Sequence, residues 1–171
     1  LDLKLTGQQG DVMKESMKVA KTVAWNVIGD SFKKKLSDSW KKFGNTGIHI
    51  HCPDGATPKD GPSAGGAITT CIISLITGIP VRNDIAMTGE INFKGEIKQI
   101  GGLEEKILGA KRAGVKLVLC PKENKRCLDK IINGKFNPID DNFKVKPVEN
   151  IWEVLNYALV DKKAIKKINK Y

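Results

Sequence analysis

A glycine-rich turn that leads directly into an apolar run constrains this chain more than any other stretch. Residues 58–66 read PKDGPSAGG, and residues 67–77 read AITTCIISLIT and end at Gly78. An apolar run of this length that stops at a glycine predicts a buried helix. Pro62 suits the first helical position, because proline has no N–H to leave unpaired there. Ser63 is therefore expected at the positive end of a helix dipole, where a developing anion is stabilised.

These features indicate that Ser63 is a nucleophile. Gly65 and Gly66 each cost roughly 1 kcal/mol relative to alanine inside a helix. Their presence predicts that another backbone segment comes close at this point. An ordinary turn in front of a core helix explains the same residues, so the stretch alone leaves both interpretations open.

A histidine is a poor partner for this serine. Residues 61–65 fit the pattern G-x-S-x-G, but in α/β-hydrolases the catalytic histidine follows the serine in the chain. Here both histidines, His49 and His51, precede it. A histidine–aspartate–serine order remains open through Asp54 or Asp60. However, the alternating segment GIHIH predicts a half-buried strand that shows its histidines to water.

Lys106 is the better candidate base. Residues 103–114 read LEEKILGAKRAG, which predicts a helix that ends at the final glycine. At about 100° per residue, one side of this helix is apolar. The apolar arc consists of Leu103, Ile107, Ala110 and Ala113. Lys106 falls inside this arc, so its amine either extends past small neighbours to water or is poorly solvated. Because desolvation disfavours an ammonium ion, a neutral amine beside a serine hydroxyl would form a Ser–Lys dyad.

Longer motifs recur along the chain in the order and approximate spacing of one known family. They are GDVMKES at residues 10–16, PKDGPSAG at 58–65, AMTGE at 86–90, IGGLEEK at 100–106 and PKENKR at 121–126. Over roughly residues 6–159 the chain resembles the proteolytic domain of the ATP-dependent Lon proteases. Several long motifs in order are far more specific than any single short pattern.

The resemblance implies peptide-bond hydrolysis through an acyl-enzyme. The family uses a serine nucleophile with a lysine as its only base, and these positions match Ser63 and Lys106. Thr88, in the match to the threonine–glycine–glutamate motif, would hydrogen-bond the lysine amine and orient it. The motif neighbours of the nucleophile that the resemblance marks as supporting residues are Gly61, Pro62 and Ala64.

Asp60 has the wrong charge for a residue that contacts a lysine base. A carboxylate paired with Lys106 would favour the ammonium form, which cannot accept a proton. We therefore expect Asp60 to point away from Lys106 in the active form and to hold it in an inactive one. The Asp60→Asn substitution is expected to leave activity intact or to raise it.

The resemblance and the alternation of helices and strands predict one α+β domain over residues 1–160, with mixed sheets packed against helices. The fold of the family is related to that of a ribosomal protein domain. Strands are expected at residues 1–5, 47–51, 85–87, 115–119 and 143–145, a hairpin at 91–97, and helices at 11–29, 67–77, 103–114 and 151–159, the last capped by Asn150. Residues 31–45 are expected to be a basic polar connection, and residues 161–171 a frayed basic tail.

Composition narrows the functional classes further. The formal charge of +10 comes almost wholly from lysine, which favours a solvated surface or weak attraction to phosphate over base-specific reading of nucleic acid. No metal site is expected, because His49, His51 and Cys52 follow one another along a strand and do not converge. The four cysteines include no C-x-x-C pair and fit free thiols in a reduced compartment. The S-x-x-K match at residues 39–42 is attributed to chance in a lysine-rich chain.

Partners and location follow from the resemblance. The sequence contains no G-x-x-x-x-G-K-[ST] phosphate loop, so ATP and Mg²⁺ are expected to serve an ATPase domain outside this chain, with no cofactor in this domain. The family degrades unfolded polypeptides as homo-hexamers, some relatives contact DNA weakly, and no membrane association is expected. Residues 51–53 and 110–114 favour a mitochondrial matrix protein, with the bacterial cytoplasm as the alternative. A non-enzymatic RNA-binding domain or a purely ring-assembling domain of the same fold remains open.

Overall fold

The computed structural model describes residues 1–44, 47–135, 137–161, 165 and 168. Within them the strands are β1 (Leu3–Thr6), β2 (Ile48–His51), β3 (Ile85–Met87), β4 (Glu90–Ile91), β5 (Ile97–Lys98), β6 (Leu117–Pro121) and β7 (Lys144–Val148). The helices are α1 (Asp11–Val27), α2 (Asp30–Phe43), α3 (Gly65–Thr77), α4 (Leu103–Arg112), α5 (Lys125–Ile132) and α6 (Ile151–Ala158), and a 3-10 turn, Lys122–Asn124, precedes α5. Of the helices described, none combines the length and the apolar character that a membrane crossing requires.

The strands form three small sheets. Strands β1 and β2 pair in parallel, and β3, β6 and β7 form a parallel sheet with β6 in the middle. Strands β4 and β5 form an antiparallel hairpin in which Ile91 lies opposite Ile97. This mixture of parallel and antiparallel sheets with helices confirms the predicted α+β class.

The central strand β6 is buried on both faces. Leu119 packs into the main core, which α1, α3 and α6 supply with most of its side chains. Its neighbours Val118 and Cys120 point into a second core with Leu103 and Ile107 of α4. Because successive side chains of a strand point to opposite faces, helices cover the sheet on both sides. Strand β3 is an edge strand of this sheet, so α3 and α4 can approach each other beside it.

Most predicted elements are present, with shifts at their ends. The strand expected at 115–119 lies at Leu117–Pro121, and α5 was missed. The prediction that Pro62 occupies the first helical position is wrong, because α3 begins at Gly65. The Pro62 carbonyl instead accepts a hydrogen bond from the Gly65 N–H at 3.0 Å, which makes residues 62–65 a separate tight turn.

The prediction of a polar connection at residues 31–45 is wrong for residues 31–43, since Asp30–Phe43 is a helix. Lysine is a strong helix former, and Phe32 and Trp40 recur two turns apart along one side. No residue of this helix is fully buried, which explains why its apolar pattern is faint. Trp40 stacks on Trp25 of α1, with 6.2 Å between ring centroids, and so holds the helix against α1.

Helix α3 is less buried than its sequence predicts. Cys71 is exposed, and Leu75 is 70% exposed. The helix packs on α1 and α6 through its other side. All four cysteines are free thiols.

The end of the chain departs from the expected frayed tail where it is described. Ile165 and Ile168 are buried in the main core, because their side chains complete its apolar surface. The remaining tail residues, 162–164, 166–167 and 169–171, lie outside the described residues, as does most of that prediction.

The cap of α6 gives a test of this packing. Asn150 Oδ1 accepts a hydrogen bond from the Glu153 N–H at 3.1 Å, as the sequence predicts. We expect Asn150→Ala to lower the free energy of unfolding by about 1 kcal/mol, because the helix loses its side-chain cap. Urea unfolding followed by circular dichroism measures the change. Asn156→Ala, at an exposed position of the same helix, is the control, and an equal loss in both variants would contradict the capping role.

Candidate active site

The edge strand β3, the turn before α3, and α4 line one open cavity of about 450 Å³. Ser63 lines it from the turn, Thr88 from the end of β3, and Lys106 from α4. Three segments that are far apart in the sequence therefore deliver a hydroxyl, a second hydroxyl and an amine to one space.

Thr88 connects the lysine to the nucleophile turn. The Lys106 Nζ donates a hydrogen bond to Thr88 Oγ1 at 3.4 Å, and Thr88 Oγ1 donates to the Ser63 carbonyl at 3.4 Å. Thr88 is only 7% exposed, so its hydroxyl is held in place by packing. Within the described part of the chain, the Ser63 hydroxyl makes no hydrogen bond. The lysine and the serine hydroxyl thus share the cavity without being bonded to each other.

The rest of the cavity wall is made of small, mostly apolar residues. They are Ala64, Ala67, Ala86, Gly109, Ala110 and Ala113, with Met87, Val115 and Val118 beside them. Lys106 is half-buried and shares this wall with Ala110 and Ala113, as the helical wheel predicts. The small side chains leave room for a substrate group next to the amine and offer the amine few polar neighbours.

Backbone pairing fixes the nucleophile turn against the segment after β3. The Gly89 N–H donates to the Ser63 carbonyl at 2.7 Å, and the Gly66 N–H donates to the Gly89 carbonyl at 3.0 Å. A Cβ at Gly65 would lie 3.0 Å from the Ile91 backbone nitrogen. The close approach predicted from Gly65 and Gly66 is therefore confirmed. That the approaching residue is Gly89 was not predicted, although Gly89 lies in the AMTGE motif two residues after a predicted strand.

Asp60 is turned toward α1 instead of toward Lys106. Its Oδ1 accepts hydrogen bonds from the backbone N–H groups of Met13 and Gly61, both at 2.8 Å. The Met13 N–H holds the pKa of the Asp60 carboxyl below its ordinary value of 3.8, and the Gly61 N–H adds to this effect. Gly61 has φ of +103°, a conformation open to glycine, which lets the chain turn sharply after Asp60. This is the orientation expected of Asp60 in a form that leaves Lys106 free.

A second contact joins α1 to the turn. The Ser16 hydroxyl donates to the Pro62 carbonyl at 3.3 Å. This role of Ser16 was not predicted, although the residue lies in the motif at residues 10–16. Pro62 itself faces away from the cavity and lines a groove against α1.

The histidines take no part in the cavity. Thr6 Oγ1 is hydrogen-bonded to His49 Nε2 at 3.0 Å and to His51 Nδ1 at 2.9 Å, on the exposed face of β2. The histidine–aspartate–serine arrangement is therefore not formed. Among the described residues, no three histidine, cysteine or acidic side chains cluster in a way that could hold a metal ion.

The cavity thus brings together a serine hydroxyl, a threonine hydroxyl and a lysine amine. Comparison with known proteins gives the family: the sequence profile of the Lon protease (S16) C-terminal proteolytic domain matches residues 1–161. The chain belongs to this family.

Several curated bacterial proteins named Lon protease are similar to the chain. The Haemophilus influenzae protein is 49% identical over 157 residues, covering 92% of this chain and 18% of the relative. The Escherichia coli (strain K12) protein is 46% identical over 157 residues, covering 92% and 19%. The Fervidobacterium nodosum protein is 45% identical over 155 residues, covering 91% and 18%. The chain thus spans about a fifth of the length of these relatives.

The expected mitochondrial origin finds no support in these relatives, which are bacterial. The short stretches at residues 51–53 and 110–114 that favoured it carry little information beside identity over most of the chain. The bacterial alternative agrees with the relatives.

The hydrogen bonds of Asp60 predict a pH dependence of stability. Because its pKa is lower in the folded protein than in the unfolded chain, the carboxylate stabilises the fold at pH values above about 4. This contribution is lost as the pH falls through the lowered folded value. We expect the parent to lose stability relative to Asp60→Asn over that acidic range, measured by urea unfolding at each pH.

Asp54→Asn is the matched control. The Asp54 side chain makes no hydrogen bond or ion pair within the described residues, and asparagine tolerates its φ of +59°. If the difference in the free energy of unfolding between parent and Asp60→Asn does not change with pH, the assigned role of the carboxylate is contradicted.

Proposed function

We propose that this domain hydrolyses peptide bonds through an acyl-enzyme, with Ser63 as nucleophile and Lys106 as general base. The observation that carries the proposal is the Lys106–Thr88 hydrogen bond at the wall of the cavity that Ser63 also lines. Membership of a proteolytic-domain family supports the choice of a peptide bond as the substrate.

In the first half of the reaction, the neutral Lys106 amine takes the Ser63 hydroxyl proton as the oxygen attacks the peptide carbonyl carbon. Lys106 then donates this proton to the leaving amine, and the C–N bond breaks to give an ester on Ser63. In the second half, a water molecule attacks the ester, and Lys106 takes a proton from this water. The proton returns to Ser63 when the acid product leaves.

Two backbone groups are suited to hold the negative oxygen of the intermediate. The N–H groups of Ser63 and Ala64 donate to no acceptor in the described part of the chain. They lie just before the N-terminus of α3, where the helix dipole is positive. Fixed donors of this kind stabilise charge that develops in the transition state.

Thr88 is assigned the role of a guide for the lysine. Its buried hydroxyl accepts a hydrogen bond from Lys106 Nζ and donates one to the Ser63 carbonyl. Thr88 therefore limits where the flexible lysine side chain can place its amine. Movement of Nζ from Thr88 to the Ser63 hydroxyl begins the reaction. Asp60 favours the same arrangement by remaining bound to α1.

The wider assignment follows the relatives. We propose that the chain is the proteolytic part of an ATP-dependent protease that degrades unfolded polypeptides in the bacterial cytoplasm. ATP and Mg²⁺ would serve an ATPase domain beyond this chain, and this domain would need no cofactor of its own. Assembly as a homo-hexamer and a weak contact with DNA belong to this proposal.

Substitution of the two proposed catalytic residues is the direct test. We expect Ser63→Ala and Lys106→Ala each to lower kcat/KM for a fluorogenic peptide by roughly a thousandfold or more, because either change removes the acylation step. Thr88→Val should lower kcat by roughly tenfold with little change in KM, because the amine is then less well placed. Thermal unfolding must show that all variants remain folded.

Ser39→Ala and Lys42→Ala are matched controls, since they remove the other S-x-x-K pair on the exposed helix α2. Both are expected to retain the parent rate. If the parent is inactive alone, the same variants are compared in a fusion of this chain to an ATPase domain of the family. Absence of hydrolysis by the parent in that protein would favour a non-enzymatic RNA-binding or ring-assembling role, and a rate unchanged by Ser63→Ala would contradict Ser63 as the nucleophile.

A further inference from the structure

A second open space lies on the other side of the nucleophile turn. It is a groove of about 690 Å³ between α1 and β4, lined by Val12, Pro62, Ile91 and Phe93. We call it the α1–β4 groove. Phe93 is 67% exposed and Val12 is 48% exposed, so two of the large apolar side chains left open to water meet here. Apolar side chains that meet in an open groove are typical of a binding surface.

The groove and the candidate active site are lined by consecutive residues of the chain. Pro62 lines the groove, and the next residue, Ser63, lines the catalytic cavity. The wall of the groove is firmly tied to the turn, because Ser16 of α1 donates to the Pro62 carbonyl and Asp60 binds the Met13 N–H. Two consecutive residues thus line two separate spaces, and an extended polypeptide bound at Ser63 is within reach of both.

Charge also distinguishes this surface from the rest of the protein. The carboxylates of Glu15 and Glu90 and the ammonium of Lys18 line the groove. Neither carboxylate forms an ion pair within the described residues, whereas the chain as a whole carries +10. A locally acidic lining in a basic protein favours a basic side chain over an acidic one in whatever binds there.

We propose that the α1–β4 groove binds an extended segment of the substrate polypeptide, away from the bond being cleaved. It would take apolar side chains against Val12 and Phe93 and prefer a neighbouring lysine or arginine near Glu15 and Glu90. This proposal rests on the proposed function. It makes α1 and β4 part of substrate selection, in addition to the cavity beside Lys106.

Binding can be measured without catalysis. The Ser63→Ala protein is titrated into a fluorescein-labelled unstructured peptide that carries leucine and lysine residues along its length, and anisotropy gives Kd. We expect Val12→Ser and Phe93→Ser, each added to Ser63→Ala, to raise Kd by about fivefold, because each removes an exposed apolar contact. Replacing the leucines of the peptide by serine, or its lysines by glutamate, should weaken binding to the parent by a similar factor.

Leu75→Ser is the matched control, because it removes an exposed apolar side chain of α3 that lies outside the groove. It should leave Kd unchanged. Equal weakening by Leu75→Ser, or unchanged Kd in both groove variants, would overturn the proposal. The measurement does not depend on the chemistry at Ser63, so a failure of the groove and a failure of the Ser–Lys dyad give different results.

Discussion

The pairing of two backbone segments at Gly89 is the constraint on which the site depends. This residue donates its N–H to the Ser63 carbonyl and accepts a hydrogen bond from the Gly66 N–H, so a single residue holds both sides of the turn into α3. Such an approach requires that no side chain intervene, which glycine alone allows. The neighbour of Gly89, Thr88, is thereby placed beside Ser63. The orientation of the lysine then follows from that threonine.

The meeting of the nucleophile turn and Lys106 also depends on the sheet formed by β3, β6 and β7. Because β6 is buried on both faces, one helix layer contributes the nucleophile turn and the opposite layer contributes Lys106. The two meet only around β3, which has no strand beyond it in the described sheet. At this edge of the sheet, where backbone groups would otherwise be exposed, a cavity lined by alanines opens. Stability and function are linked here, since β6 contributes side chains to both cores and pairs with β3, the strand that Thr88 directly follows.

Strong periodicity made α1, α3, α4 and α6 predictable, and weak periodicity hid the others. Helix α2 buries no residue completely, so its sequence shows only a faint apolar face. Its many lysines therefore led to the prediction of a polar connection. The start of α3 was misplaced because proline suits both a tight turn and a first helical turn. The choice between them was made by the Gly89 contact, which joins residues more than twenty positions apart. The exposure of Leu75 could not be predicted either, because the sequence does not show whether another segment covers an apolar side chain.

The sequence by itself determined the family, the α+β class and the identity of Ser63 and Lys106 as the candidate dyad. Long motifs in a shared order and an apolar arc around a lysine are properties of the chain alone. Only the tertiary structure decided that Thr88 also bonds the Ser63 carbonyl, that Asp60 binds the start of α1, and that a groove lies beside the turn. The physical reason is that local spacing sets which face of an element is apolar, whereas the partner of that face is set by packing between segments distant in the chain.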